Sequence, residues 1–276
     1  MPKSSGCRRG FLRDLCPWLF GDRPEICYLG PKPFEKSKIK SVVPLHDETP
    51  TEITPYVTYG LIVVNILVFL YEISLQSQGQ LDGFLQDWAV VPQQLSASFA
   101  GQPTPSAVPE WITLFSSQFL HGGWLHLGGN MLFLWIFGNN VEDCLGHLKY
   151  IIFYLACGAL AVLAQWFFSM DSTIPSLGAS GAIAGVMGAY ILRYPKSKIL
   201  TLIPLGFFLT TFRIPAVFFL GFWFFQQALY GIAGLTQQTN IGMESGGIAY
   251  WAHAGGFVVG AVLGPLLGLF NNRRSV

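Results

Sequence analysis

Apolar residues in this chain form long uninterrupted runs rather than alternating or striped patterns. Six mostly apolar stretches, at 57–75, 119–138, 148–169, 177–192, 214–235 and 248–270, are separated by shorter polar segments. Each is close to the roughly 20 residues with which a helix crosses a ~30 Å hydrocarbon core. A seventh stretch, 199–212, is flanked by Lys198 and Arg213 and contains Pro204 and Gly206, so it is expected to lie in the membrane interface. Open strands cannot satisfy their backbone in lipid. The pattern therefore predicts an all-α membrane protein of six transmembrane helices over residues 55–271. A mobile cytosolic tail is expected over 1–54 and a short cytosolic tail over 272–276.

Composition agrees: 51% of residues are apolar and only 11% charged, against about a quarter charged in a soluble domain. A formal net charge of +1, with no basic stripe interleaved with aromatics, excludes a nucleic-acid partner. With the N-terminus inside, all 16 Lys and Arg fall on inside segments and none on the outside loops near 76–118, 170–176 and 236–247. Basic residues mark the cytosolic side, so both termini are expected in the cytosol. A seventh span would strand Arg273 and Arg274 outside. The five cysteines, Cys7, Cys16, Cys27, Cys144 and Cys157, show no C-x-x-C pair and no metal-ligand spacing. Neither a disulfide framework nor a metal or cofactor is expected. The first outside loop keeps Phe84, Trp88, Val90, Val91, Phe99 and Trp111. It either lies partly in the outer leaflet, where Trp is favoured, or folds as a small cap above it; the first is the reading adopted.

Polar residues within a span are costly unless they pair or do work, and here they are few. The second span holds His121, His126 and Asn130, the fourth Ser180 between glycines, and the sixth His253 in Ala-His-Ala-Gly-Gly. All three spans run from outside to inside, so these residues share a depth near the outer face. His126 and Asn130 lie one helical turn apart on one face. Gly181, Gly185 and Gly188 line the fourth span, and Gly256, Gly260 and Gly264 the sixth. Such seams let two helix backbones approach closely. A serine hydroxyl becomes nucleophilic when a base within hydrogen-bond reach takes its proton, and histidine suits that role. The donors of His126 and Asn130 suit an oxyanion. No Asp or Glu lies in spans three to six, which favours a Ser-His dyad over a triad. Taken singly, each residue also has a plainer role in packing, in interfacial anchoring or in a structural hydrogen-bond network.

From about Trp111 to Gly264 the order of these motifs resembles the rhomboid family of intramembrane serine proteases. The resemblance rests on His121-Gly-Gly-Trp-Leu-His126-Leu-Gly-Gly-Asn130, on Glu142 to Gly146 in a cytosolic turn, on Gly178-Ala179-Ser180-Gly181 and on Ala252-His253-Ala254-Gly255-Gly256. It implies a rhomboid-like bundle of six spans with an interfacial first outside loop. It also implies Ser180 as nucleophile, His253 as base, and His126, Asn130 and the Ser180 N–H as oxyanion donors, with His121 structural. The expected substrates are single-span membrane proteins entering from the bilayer, and the expected location is the plasma membrane, with the site near its extracytoplasmic face. Two positions depart from the family. Ile112 follows Trp111 where many relatives have Arg, and Ala184 stands where some carry an aromatic that stacks on the imidazole; Trp251 or another aromatic nearby is the candidate to brace His253 instead. The alternative is a catalytically silent rhomboid-like protein that binds membrane-protein clients. A transporter would call for midplane charges or an inverted repeat, and the sequence carries neither.

Overall fold

The six long apolar runs fold as helices, and a computed structural model, which describes residues 43–205, 208–236 and 249–271, gives their bounds. The expected tails over 1–42 and 272–276, the outside loop over 237–248, and Cys7, Cys16 and Cys27 lie outside the described residues. In chain order the helices are α1 (Tyr56–Ser77), α2 (Leu81–Trp88), α3 (Pro92–Phe99), α4 (Glu110–Ser116), α5 (Trp124–Leu145), α6 (His147–Phe167), α7 (Ser180–Arg193), α8 (Ala216–Thr236) and α9 (Tyr250–Leu267). Among the described residues, α1, α6, α8 and α9 are long and apolar enough to cross a membrane. The protein is mostly helical and an integral membrane protein.

The fold is not all-α. Three strands, β1 (Val43–Asp47), β2 (Lys198–Leu205) and β3 (Phe208–Pro215), form an antiparallel sheet in the order β1-β2-β3. Lys198 pairs with Pro215 and Leu205 with Phe208, so the stretch expected at the interface is a β-hairpin. Ile199 and Thr201 are both buried, and this two-residue period puts one face of β2 on the helices. β1 lies within the stretch expected to be a mobile tail. Its Asp47, itself buried, accepts hydrogen bonds from Asn140 Nδ2 of α5 and Tyr190 Oη of α7, each at 2.8 Å. The Asp143 carboxylate accepts from the backbone of Glu52 and Ile53. Residues 43–53 are thus tied to the ends of α5 and α7 because buried carboxylates and amides there need partners.

α5 begins at Trp124, later than expected, so His121 sits in the loop before it. α5 also runs on through Glu142, so the turn assigned to Glu142–Gly146 reduces to Gly146, whose φ of +75° suits a residue without a Cβ. Glu142 is fully buried and accepts from the N–H groups of Val57 (2.9 Å) and Thr58 (2.8 Å) and from the Thr58 hydroxyl (2.7 Å). These are first-turn donors of α1 that would otherwise be orphaned in an apolar setting.

α7 is central. Every residue from Gly181 to Tyr190 is buried, packed among α5, α6 and α9. Contact with α9 is backbone to backbone: a Cβ on Gly256 would strike the Gly181 carbonyl oxygen, one on Gly260 the Gly185 carbonyl oxygen, and one on Gly188 the Phe257 carbonyl oxygen. The two small-residue seams therefore meet each other, as their spacing predicts.

Candidate active site

Ser180 is the first residue of α7 and His253 lies in the first turn of α9. With the two backbones in contact one turn below, Ser180 Oγ and His253 Nε2 are 2.7 Å apart. The segment entering Ser180 is tightly placed. Gly178 donates its N–H to the Ser117 carbonyl at 2.8 Å and has φ +125°, a left-handed conformation that favours glycine. A Cβ there would also stand 2.8 Å from His126 Nε2 and 3.7 Å from Ser180 Oγ. His126 and Ser180 thus border the same small volume.

His126 is in the first turn of α5. Its Nδ1 accepts the Gly122 N–H at 3.3 Å, which leaves Nε2 to carry the ring hydrogen and act as a donor on the Gly178 side. His121 is buried; its backbone N–H donates to the Glu72 carboxylate at 3.1 and 3.3 Å, and its ring meets His126 edge-on with centroids 5.1 Å apart. It packs edge-on against the His126 ring without a hydrogen bond to it among the described residues. Asn130 is buried one turn further along α5; among the described residues its Nδ2 has no hydrogen-bond partner and it makes no bond to Ser180 or His253. An unpaired buried amide donor costs roughly 1–3 kcal/mol and is available to a ligand atom.

An aromatic does stand beside the imidazole, but it is not Trp251. Trp251 stacks on Phe168, with centroids 3.9 Å apart and planes at 17°, rather than on His253. His253 instead meets two residues of α8: the Gln227 Oε1, 2.8 Å from Nδ1, and the Trp223 ring, at 5.6 Å and tilted 34°. Gln165 of α6 adds a third support by accepting the N–H groups of Trp251 (3.1 Å) and Ala252 (3.3 Å), which caps the first turn of α9. The available signal was Gln165 in one apolar run and the Gln226–Gln227 pair in another, polar residues in lipid that want partners.

The segment expected to be the first outside loop, without an Arg at position 112, is fastened by other means. Val90 and Ser176 exchange both backbone hydrogen bonds, Gln93 N–H donates to the Ser172 carbonyl, and the Trp166 indole donates to Ser96 Oγ at 2.9 Å. α2, α3 and α4 are thereby laid against the loop that leads into Ser180.

A hydroxyl and an imidazole in contact at the ends of two packed membrane helices, with histidine and amide donors beside them, define a class of site that the sequence comparisons extend. The rhomboid domain model matches residues 108–270. The chain belongs to the rhomboid family. It is 28% identical over 212 residues to rhomboid protein 1, mitochondrial, of Saccharomyces cerevisiae, covering 75% of this chain and 51% of that one. It is 32% identical over 165 residues to rhomboid-like protein 11, chloroplastic, of Arabidopsis thaliana (59% and 54%), and 31% over 221 residues to rhomboid protease GluP of Bacillus subtilis (79% and 37%). The chain thus spans about half or less of the length of these relatives, one of which is named a protease.

Proposed function

We propose that this protein is a six-span intramembrane serine endopeptidase that hydrolyses peptide bonds in or near the transmembrane segments of other membrane proteins. Ser180 is the nucleophile and His253 the base. The observation that carries this reading is the 2.7 Å hydrogen bond between Ser180 Oγ and His253 Nε2, made between two helices whose glycine seams are in contact.

In this reading α1, α5, α6, α7, α8 and α9 are the six spans. α7 has only 14 residues, about 21 Å of helix. It is wrapped by its neighbours, so its ends need not meet lipid at either surface. Residues 55–271 form the membrane domain, with β1 attached to it; the rest of the N-terminal segment and residues 272–276 are cytosolic tails. The one-sided Lys and Arg distribution supports cytosolic termini and a site near the extracytoplasmic face. The plasma membrane is the bilayer proposed, and α2 to α4 lie at its outer interface.

The chemistry follows from the donors and acceptors. The Ser180 hydroxyl gives its proton to His253 Nε2 as Oγ attacks a scissile carbonyl. The carbonyl oxygen becomes an oxyanion beside His126 Nε2–H, Asn130 Nδ2–H and the Ser180 N–H. Among the described residues the last of these has no backbone partner, and it stands at the positive end of α7. Donors fixed in a dry site strengthen as that charge develops and need no reorganisation. His253 then passes its proton to the leaving amine, and water repeats the sequence to release the acyl chain. A substrate helix must expose a carbonyl to enter, so segments with small or helix-breaking residues near the outer face are favoured.

The test is incubation of the purified protein with a panel of single-span substrates, with cut sites mapped by mass. Cleavage should vanish in Ser180→Ala and His253→Ala while both variants stay folded and inserted. Undiminished cleavage by either variant overturns the dyad, and failure of a fluorophosphonate to label Ser180 in the unmodified protein favours the silent client-binding alternative.

A further inference from the structure

We propose that Gln227 of α8 is a positioning residue that completes the catalytic pair, its side-chain carbonyl holding the His253 imidazole in the tautomer that can act as a base. This rests on the dyad reading above and assigns its missing third group. The amide Oε1 lies 2.8 Å from His253 Nδ1, while His253 Nε2 faces Ser180 Oγ at 2.7 Å. A neutral imidazole carries one ring hydrogen. With that hydrogen on Nδ1 and donated to Oε1, the Nε2 lone pair is free to accept the serine proton. With it on Nε2, the base function is lost, because Nε2 then donates to Oγ and has no lone pair to take the serine proton.

The placement of Gln227 also points to a specific use. The inward face of α8 consists of Ala216, Leu220, Gln227 and Gly231, all buried, with Trp223 partly so. Gln227 is the polar interruption of that face, at a depth where an apolar residue would cost nothing and an unpaired amide would cost several kcal/mol in lipid. One turn above it Trp223 covers the imidazole, and one turn below it Gly231 leaves room for the Trp251 ring, which a Cβ would approach to 3.0 Å. Three successive turns of α8 are therefore shaped to the first turn of α9. On the opposite side the residue one turn after the serine is Ala184, which offers no ring. Support of the base comes from α8 and not from the nucleophile's helix.

The groups around His253 make the proposal testable by pH. α7 presents the Ser180 hydroxyl, α5 the His126 imidazole, α6 the neutral Gln165 amide, and α8 the neutral Gln227 amide and Trp223 ring. Among the described residues no carboxylate or cation faces the ring, so a charge introduced at 227 acts on it without competition.

The experiment measures phosphonylation of Ser180 by a fluorophosphonate in the full-length protein in detergent, as maximal rate and apparent affinity across pH, for Gln227→Leu and Gln227→Glu beside Ser180→Ala and His253→Ala. Gln227→Leu should lower the maximal rate by about 10- to 100-fold, part of what a general base contributes, with apparent affinity within about twofold. Gln227→Glu keeps an acceptor and should restore the rate to within about threefold. It should also move the acid limb of the profile to higher pH by about one unit, because a carboxylate beside Nδ1–H favours the protonated ring. A Gln227→Leu protein labelled at the unmodified rate, with His253→Ala silent, overturns the role of Gln227 and leaves the dyad standing. Equal slowing in both Gln227 variants with an unmoved acid limb marks a packing role and also overturns it. Labelling of His253→Ala at the unmodified rate removes the dyad and this proposal together.

Discussion

Gly256 of α9 lies against the backbone carbonyl of Gly181 in α7, beside Ser180 on one helix and within one turn of His253 on the other. A methyl group there would meet the Gly181 carbonyl and come within 3.2 Å of Ala161 Cβ. Neither is the flexible end of a side chain, so the helices must separate. Gly256→Ala should therefore cost about 1–3 kcal/mol in stability, and phosphonate labelling of Ser180 should fall by at least about 100-fold, the contribution of a working general base. Gly264→Ala, whose new carbon would meet the Ala189 side chain at 3.0 Å and Leu269 at 3.3 Å, should cost less and retain most labelling. Thermal unfolding in detergent alongside labelling would check both; equal effects would argue against a site set by local helix approach.

Gly178→Ala tests the approach to the nucleophile. The substitution demands an unfavourable φ and puts a carbon 2.8 Å from His126 Nε2. Cleavage should drop by about 100-fold or more, the effect of misplacing reacting groups by roughly an ångström, with global stability reduced by only about 1–2 kcal/mol. Full activity would mean that His126 does not need its present position.

Removal of one of the proposed oxyanion donors should cost about 10²–10³ in kcat. His126→Ala and Asn130→Ala should each fall in this range with KM changed little. Asn130→Ala should not destabilise the fold, since its Nδ2 has no protein partner among the described residues. A kinetic loss that appears wholly in KM would contradict transition-state binding by these side chains.

At the other end of α7, the Asp47 carboxylate gathers Asn140, Tyr190 and the Thr49 N–H. Asp47→Ala should destabilise by about 2–4 kcal/mol by orphaning these buried donors. Tyr190→Phe, which removes one donor and leaves the ring in place, should cost only about 1 kcal/mol. Labelling of Ser180 should persist in Tyr190→Phe, because about 15 Å of helix separates the two ends.

Much of this architecture was legible in the linear pattern. Each of the six long apolar runs became a helix, and the glycine seams of the fourth and sixth runs met as their spacing implied, because small residues three or four apart describe one helix face whatever surrounds it. The hairpin was not legible. Its apolar length resembled an interfacial segment, and its third strand, β1, came from residues that looked like tail. Strand pairing is a relation between distant segments, and nothing local to Val43–Asp47 specifies the partner. The same holds for Gln227 and Gln165: each was visible as a polar residue in an apolar run, but a hydrogen bond across 26 or 86 residues has no local mark.

By itself the sequence determined the medium, the helices and the candidate groups for the site, since hydropathy and residue chemistry are properties of positions taken one at a time or at short helical spacing. Only the tertiary structure decided that Ser180 and His253 meet at 2.7 Å, that Trp251 turns to Phe168 instead of the imidazole, and that α8 supplies its support. Those outcomes depend on which faces of distant helices pack together, and side-chain volume at every contact sets that at once.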